Sequence, residues 1–300
     1  MRAVLLLAAA LATCPAAAEI VVKDDAGAAV RLAQPAQRIV SLAPHITENL
    51  FAIGAGARVV GTVEFSNFPE AAQRIPRVGG YETLDLEAIA ALRPDLVVAW
   101  ESGNSAAHVA KLKAIGLPVL LTQPNRIEDV PGDLERLGEL AGARDAGYAA
   151  AARFRERLGA LRARYESRPT VRVFYQVWDQ PLMTVGGSQI ISDAMRLCGG
   201  ENAFGALRQM AAAVTVESVL ATNPEAIVAS GMGEARPEWL DAWRRWPALT
   251  AVVRDNLFHV HPDHIQRHTP RLLDGVEQLC RHLQAARARR PAAGSQSGTR

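Results

Sequence analysis

The chain has 300 residues, 49% of them hydrophobic, and a formal net charge of +2. This length allows one large or two smaller domains with a buried core, and the near-neutral charge indicates neither nucleic acid nor an anionic membrane surface as a partner. Beyond the N-terminus no segment approaches the ~20 apolar residues of a membrane helix, so insertion into a membrane is not expected.

The N-terminus has the pattern of a signal peptide. An apolar run from Val4 to Ala12 is too short to span a bilayer, and Ala16-Ala17-Ala18 offers small side chains for cleavage before Glu19. Cys14 follows a poor lipoprotein motif, and whether it is ever lipidated stays open. We predict a signal peptide over residues 1–18 and an exported mature chain.

Strand and helix signals alternate along the next part of the chain. Residues 19–32 read as a hairpin that turns at Asp25-Ala26-Gly27. Apolar runs predict strands at 38–42, 59–63, 96–100 and 119–121, and helical signals predict helices at 47–53, 86–92 and 106–115. Because strands separated by helices form parallel sheets, residues 19–143 are predicted to form an N-terminal α/β lobe.

A single long helix is predicted next. Apolar residues recur at helical spacing until Pro169, namely Ala150, Phe154, Leu158, Leu161 and Tyr165. Residues 144–168 are therefore expected to form one connecting helix about 34 Å long. Strand and helix signals then resume within 171–177, 190–197, 216–221, 226–230, 239–246, 257–260 and 272–283. They predict a C-terminal α/β lobe over residues 169–286, and the basic, then Gly- and Ser-rich residues 287–300 read as a disordered tail.

Two segments of the chain, residues 86–99 and 216–229, share one pattern. Each begins with an apolar residue and a glutamate, Glu87 or Glu217, and continues as a short helix up to a proline, an acidic residue and a buried strand. Two corresponding lobes joined by one rigid helix leave a cleft between them. Clefts between domains are common ligand sites, so we expect a binding protein.

Two cysteines, Cys198 and Cys280, remain once the signal peptide is removed. An even number of cysteines in an exported protein favours a disulfide between them. Two separate buried thiols are the alternative.

Several motifs resemble the helical-backbone periplasmic binding proteins, which serve ABC importers of cobalamin, haem and ferric siderophores. The resemblance covers roughly residues 36–284 and is carried by Ser41-Leu42-Ala43-Pro44 with Thr47-Glu48, by Gly61-Thr62, and by Leu86-Glu87 through Pro94-Asp95-Leu96-Val97. It implies two Rossmann-like α/β lobes joined by one long rigid helix, the class III arrangement. It also implies a periplasmic monomer without a cofactor of its own that delivers its ligand to a permease dimer with cytosolic ATPases.

Within this family, the cobalamin-binding members are similar over 65–75, 99–104, 197–204 and 263–271. The resemblance implies a corrinoid in the cleft, contacted by Pro44, Phe65, Phe68, Tyr81, Trp100, Trp178, Asp263 and Arg267. Flat aromatic rings suit the face of a corrin. For any single ring, packing in the protein core is the alternative interpretation. For Asp263 and Arg267, which are four residues apart, a surface ion pair is the alternative to a ligand contact.

Two positions depart from the cobalamin-binding pattern. Tyr81 and Ala211 stand where those proteins carry tryptophan. These departures leave haem or a ferric siderophore open as the ligand.

Glu87 and Glu217 have two interpretations. Each lies in the first turn of a predicted helix, where a carboxylate stabilises the helix dipole by about 0.3–1 kcal/mol. The resemblance implies instead that each docks on arginines of the permease, since Arg–carboxylate pairs are strong and directional. We favour docking.

Histidines offer a further alternative, a zinc or manganese site. Four of them cluster late in the chain, at His259, His261, His264 and His268, and His45 follows the first predicted lobe strand. The spacing is not a specific metal signature, and His45 is the best candidate for an axial ligand to a bound iron or cobalt. No nucleophile elbow, phosphate loop or zinc-protease motif is present in the sequence, so the chain is not expected to be an enzyme.

Overall fold

The computed structural model describes residues 19–80, 83–231 and 235–291. The predicted signal peptide, Cys14, Tyr81 and residues 292–300 of the predicted tail lie outside the described residues. None of the described helices is both long and apolar enough to cross a membrane.

The first lobe is an α/β unit built on a parallel sheet. Its elements are β1 (Ile20–Lys23), β2 (Ala29–Leu32), β3 (Ile39–Ser41), α1 (Pro44–Ala52), β4 (Val59–Thr62), α2 (Leu86–Ala91), β5 (Leu96–Trp100), α3 (Ala106–Ala114), β6 (Val119–Thr122) and α4 (Val130–Leu140). β1 and β2 form the predicted hairpin, and the main sheet has the order β4-β3-β5-β6. All of its pairs are parallel, as predicted.

Two details of this lobe differ from the prediction. α1 begins at Pro44, three residues before the predicted start. Proline is favoured at the first helical position, because the N–H group that it lacks would have no intrahelical partner there. α4 was not predicted, and Pro131 and Gly132 in its first turn weaken the helical pattern there. Proline is tolerated in the first turn, and the rest of α4 packs its leucines into the core of the lobe.

The connecting helix, α5 (Arg144–Tyr165), joins the two lobes. Its 22 residues span about 33 Å at the α-helical rise. Ala150 and Ala151 lie in the core of the first lobe, whereas Phe154 and Leu158 lie in that of the second. Because one continuous helix is packed into both cores, it is a stiff connection rather than a linker.

The second lobe repeats the architecture of the first. Its elements are β7 (Val171–Gln176), β8 (Met183–Val185), α6 (Ile190–Leu197), β9 (Gly200–Asn202), β10 (Ala211–Ala213), α7 (Val216–Thr222), β11 (Ala226–Ala229), α8 (Thr250–Val253), β12 (Leu257–His259), α9 (Pro262–Ile265) and α10 (Leu272–Ala288). The parallel sheet has the order β12-β11-β7-β9. The antiparallel pair β8 and β10 was not predicted, because strands of three residues give no periodic signal. Residues 238–245 form a 3₁₀ helix.

The C-terminal segment corrects one prediction. Residues 287–300 were expected to be disordered, yet α10 continues to Ala288 and the three arginines around its end bind the second lobe. Arg287 donates to the carbonyl oxygens of Pro169 and Cys198, at 2.6 Å each. Arg290 donates to both carboxylate oxygens of Glu225, at 2.8 and 2.9 Å. These hydrogen bonds hold the arginines against the second lobe. The prediction of disorder, which was based on composition, is therefore wrong for residues 287–290.

The predicted disulfide between Cys198 and Cys280 is confirmed. It links the end of α6 to α10, and both cysteines are fully buried in the core of the second lobe.

Candidate functional site

The candidate site lies where the strand ends of one lobe meet a loop of the other. Pro44 follows β3, Phe65 follows β4, Trp100 ends β5, and Trp178 follows β7, all at carboxyl ends of parallel strands. In α/β proteins ligands bind outside this edge of the sheet. The loop after β12 crosses to the first lobe, since Arg267 donates to the carbonyl oxygen of Phe65 at 3.1 Å. Residues from both lobes therefore come together at this edge of the first sheet.

Three of the predicted aromatic contacts are exposed. Phe65 has 65% of its surface accessible, Phe68 has 42% and Trp178 has 40%. The alternative role for an aromatic ring, packing in the protein core, does not apply to these three exposed side chains. They are available to contact a flat apolar ligand from both lobes.

Trp100 is half-buried and differs from the exposed aromatics. It packs against the core of the first lobe and makes edge contacts with His45 and His268, with ring centroids 5.3 and 6.0 Å away. A Cβ atom on Gly103 would come within 1.9 Å of the indole, which explains why glycine follows Trp100 at this spacing. Trp100 thus combines a core role with a position at the edge of the cleft.

His45 and His268 are buried at the junction of the lobes, with 4% and 3% of their surfaces accessible. Burial is the largest cause that holds the pKa of His45 well below its usual value, and the proximity of His268 and Arg267 lowers it further. Burial lowers the pKa of His268 to about 4. Both imidazoles are therefore neutral at pH 7, and the predicted axial ligand His45 is covered by Trp100 and His268.

The other histidines do not converge. His259 and His282 contact backbone carbonyl oxygens of Ser230 and His259, and His261 stacks on His264. Within residues 19–80, 83–231 and 235–291, no group of three or more His, Cys, Asp or Glu side chains is arranged to hold a metal ion.

A buried polar network crosses between the lobes beside the cleft. The carboxylate of Glu48, on α1, accepts hydrogen bonds from Arg271 at both oxygens, each at 2.6 Å, and from Thr269 at 2.7 Å. Asn49 donates to the carbonyl oxygen of His268 at 2.9 Å. Charge-assisted, bidentate hydrogen bonds of this kind are strong and directional.

The predicted polar contacts Asp263 and Arg267 belong to the same network. They form an ion pair at 2.8 Å, which is the arrangement expected for residues four apart. Arg267 also donates to the side-chain oxygen of Asn67 at 2.8 Å, and Asn67 donates to Asp263 at 3.4 Å. In this structure both side chains are thus engaged with the loop that carries Phe65 and Phe68.

Buried hydroxyl groups fix the other side of that loop. Thr47 lies within hydrogen-bond distance of Ser41 (2.8 Å), Thr62 (2.7 Å) and Ser66 (3.3 Å). All four residues are fully buried. The motif residues Ser41, Thr47 and Thr62 therefore join the ends of β3 and β4 to the loop at Ser66.

Glu87 and Glu217 are exposed in the first turns of α2 and α7. Asp85 and Thr215 cap these two helices, accepting hydrogen bonds from the backbone N–H groups of Ala88 and Ser218. Hydrogen bonds from its own backbone N–H and from Thr215 lower the pKa of Glu217. Both carboxylates are directed by capped helices and are accessible to a partner.

Sequence reasoning assigned no role to Glu48, Thr269 or Arg271. Glu48 stood in a quoted motif next to Thr47, and Thr269 and Arg271 stood within the similar stretch 263–271. One feature of the sequence could have identified Glu48: its carboxylate was predicted to lie on a helix of the first lobe, with no arginine or lysine nearby in sequence to pair with it. Its partner lies 223 positions away.

Comparison with known proteins gives consistent matches. The family model for periplasmic binding proteins matches residues 39–264. A vitamin B12-binding protein of Vibrio parahaemolyticus is 34% identical over 258 residues, covering 86% of this chain and 93% of that protein. The crystal structure of the periplasmic vitamin B12 binding protein BtuF of Vibrio cholerae superimposes with a TM-score of 0.79 at 36% identity, covering 84% of this chain and 98% of that one.

A periplasmic haem-binding protein, BhuT, is similar in fold. It superimposes with a TM-score of 0.75 at 24% identity and covers 84% of this chain. The predicted class of two α/β lobes joined by a long helix is confirmed by these neighbours.

Proposed function

The chain belongs to the periplasmic binding protein family, and we propose that it captures a cobalamin-type corrinoid in its interlobe cleft and delivers it to the membrane permease of an ABC importer. One observation carries this proposal. Exposed aromatic side chains, Phe65 and Phe68 from the first lobe and Trp178 from the second, lie in the loops that follow the carboxyl ends of parallel strands. The identity to vitamin B12-binding proteins supports it.

The aromatic side chains supply the main contact in this proposal. A corrin ring is flat and largely apolar on its faces, and aromatic rings give a large contact area with little loss of rotamer entropy. Phe65, Phe68 and Trp178 contact the ring, with Pro44 and the half-buried Trp100 at the edge of the cleft. Tyr81 completes the set and lies outside the described residues.

Polar contacts at the rim give orientation. Asp263 is half-exposed, and its carboxylate is the proposed acceptor for amide groups on the corrin edge. Arg267 is the second proposed polar contact. It would have to exchange part of its hydrogen bonding to Phe65 and Asn67 for the ligand.

Delivery is the second half of the proposed function. Glu87 and Glu217 dock on arginines of a permease dimer, whose cytosolic ATPases drive uptake. Because α5 is packed into both cores, the lobes are expected to move relative to each other only by small angles. The protein acts as a periplasmic monomer, contributes no cofactor and performs no chemistry on the ligand.

Haem or a ferric siderophore is the alternative ligand. The buried position of His45 argues against axial ligation of haem iron, because the ring would first have to be uncovered from Trp100 and His268. The mature chain, residues 19–300, should be titrated with cyanocobalamin, haemin and a ferric hydroxamate, with calorimetry and visible absorbance as readouts. A one-to-one complex with cyanocobalamin is expected. Tight haemin binding without cyanocobalamin binding would refute the proposed ligand.

A further inference from the structure

One carboxylate, that of Glu48, lies at the centre of the contacts between the lobes. Its side chain is on α1 of the first lobe, and its accessible surface is only 3%. The groups that surround it come from the second lobe, namely Arg271 at 2.6 Å, Thr269 at 2.7 Å and Arg267 at 3.7 Å. A buried carboxylate needs such partners, because it is costly to remove from water without them.

The guanidinium group of Arg271 reaches from Glu48 to a cleft aromatic. Its central carbon lies 3.7 Å from the centroid of the Phe68 ring, the geometry of a cation–π contact. Both hydrogen bonds to Glu48 fix the plane of this guanidinium. Glu48 therefore sets the position of the group that covers one face of Phe68.

Arg267 reaches the other cleft phenylalanine through its backbone. Its two terminal nitrogens donate to the carbonyl oxygen of Phe65 and to the side chain of Asn67. Phe65 has a φ of +62°, a left-handed conformation that is unfavourable for a bulky residue and persists only when neighbouring groups hold it. Arg267 provides such a group, and Glu48 lies next to it.

We propose that Glu48 is a positioning residue for ligand capture. Through Arg271 and Arg267 it holds Phe65 and Phe68 in the cleft before the ligand arrives, so that the rings need not be ordered on binding. This inference rests on the proposed function, because it assumes that these two phenylalanines contact the ligand. Glu48 itself does not touch the ligand.

The first test uses the free protein, so that it does not depend on the identity of the ligand. Backbone amide hydrogen exchange over residues 64–69 is compared between wild type and Glu48→Gln, which keeps the size of the side chain and removes its charge. Arg271→Lys is the second variant, since it keeps the charge and loses the bidentate geometry. Glu225→Gln is the matched control, because it removes a carboxylate from an arginine pair within the second lobe, away from the cleft.

Faster exchange over 64–69 in Glu48→Gln and Arg271→Lys, but not in Glu225→Gln, is the expected result. If Glu48→Gln fails to fold, Arg271→Lys still tests the connection. Unchanged exchange in a folded variant overturns the inference, whatever the protein binds.

The second test measures coupling with cyanocobalamin as the probe. Glu48→Gln should weaken its binding about three- to tenfold, the size expected when the two rings are each partly freed and together cost about as much to order as one fully mobile side chain. In a Phe65→Ala/Phe68→Ala background the same change should have almost no effect, because the rings that Glu48 positions are gone. An equal loss in both backgrounds would overturn the inference.

The two failures are distinguishable. If wild type does not bind cyanocobalamin while exchange over 64–69 rises as expected, the proposed ligand is wrong and the positioning of the two rings by Glu48 is supported. If wild type binds cyanocobalamin and neither exchange nor affinity responds to Glu48→Gln, the proposed function stands and this inference fails.

Discussion

Arg38 in the first lobe and Arg172 in the second occupy equivalent positions. Arg38 donates at 2.7 Å to the carbonyl oxygen of Leu92, and Arg172 donates at 3.1 Å to that of Thr222. These carbonyls close the C-terminal ends of α2 and α7, the two helices that carry Glu87 and Glu217. The internal repeat thus extends beyond sequence pattern to the same helix-terminating hydrogen bond in both lobes.

We predict that Arg38→Ala and Arg172→Ala each lower the free energy of unfolding by about 0.5–1.5 kcal/mol, the ordinary net value of a hydrogen bond. Each removes a donor from a helix carbonyl that has no intrahelical partner. The two losses should add, because the sites lie in different lobes and share no contacts. Chemical denaturation of the single and double variants measures this, and a loss in the double variant well above the sum would contradict the independence of the two sites.

The exposed cleft aromatics should affect affinity without affecting stability. Phe65→Ala and Trp178→Ala are each expected to weaken cyanocobalamin binding by about 1–2 kcal/mol, because each removes apolar contact area. The melting temperature should hardly change, since both side chains are already exposed. Calorimetry and thermal denaturation of the same samples check the two halves of this prediction.

Trp100 serves as the contrast to these variants. Because its ring is half-buried between Gly103 and His45, Trp100→Ala should lower thermal stability clearly, in addition to any loss of affinity. If Phe65→Ala or Trp178→Ala instead destabilises the protein as much as Trp100→Ala does, the exposed rings have a structural role and the assignment of the cleft is wrong.

Stability should fall in acid because of His268. Its pKa in the folded protein is lowered to about 4 from an ordinary value of 6.5. Between these values the unfolded chain binds a proton that the folded chain does not, so the free energy of unfolding decreases as pH falls. At pH 4.5 this amounts to roughly 2–3 kcal/mol relative to neutral pH. The pKa of His45 is also lowered in the folded protein, so this residue adds to the loss of stability in acid.

His268→Gln should make the curve of unfolding free energy against pH shallower between pH 7 and 4.5. The comparison requires denaturant titrations at four or more pH values in that range, and His108→Gln, in α3 and away from the junction of the lobes, is the control. If wild type and His268→Gln lose stability in parallel as pH falls, the acid sensitivity originates elsewhere.

Helices and strands were predicted well where a long segment showed a regular hydrophobic pattern or a continuous apolar run. The strands β5 and β7, the helices α5 and α10, and the parallel order within each lobe all followed from apolar runs broken by Pro or Gly. The three-residue strands β8 and β10 could not be predicted, because their pairing depends on the tertiary fold. α4 was not predicted, because the proline and glycine of its first turn weaken the helical pattern.

The candidate site was predictable only in part. Phe65, Phe68 and Trp178 were identified by a family resemblance, and their exposure agrees with that assignment. The contacts of Glu48 were not, because a partner 223 positions away in the other lobe leaves no local pattern. The burial of His45 likewise depends on His268, from the other end of the chain.

The docking assignment of Glu87 and Glu217 leads to the last prediction. Both carboxylates are exposed, and each sits one residue into a helix that is already capped by Asp85 or Thr215. Each capping residue accepts a hydrogen bond from one amide group of its helix, and both glutamates stay exposed to a partner. A permease dimer presents two equivalent surfaces, and a protein with two equivalent lobes can meet them with equivalent groups.

Replacing both glutamates, Glu87→Ala with Glu217→Ala, should leave the affinity for cyanocobalamin unchanged and weaken binding to the permease at least about tenfold. Each single change should cost part of this loss, and the loss should be larger at low salt, since exposed charges are screened by ions. Binding to the detergent-solubilised permease, measured at two salt concentrations, tests this. Glu156→Ala with Glu201→Ala removes two other exposed glutamates and controls for net charge. Normal docking by the Glu87/Glu217 variant, or a loss of ligand affinity in its place, would leave stabilisation of the helix dipole as the only role for these residues.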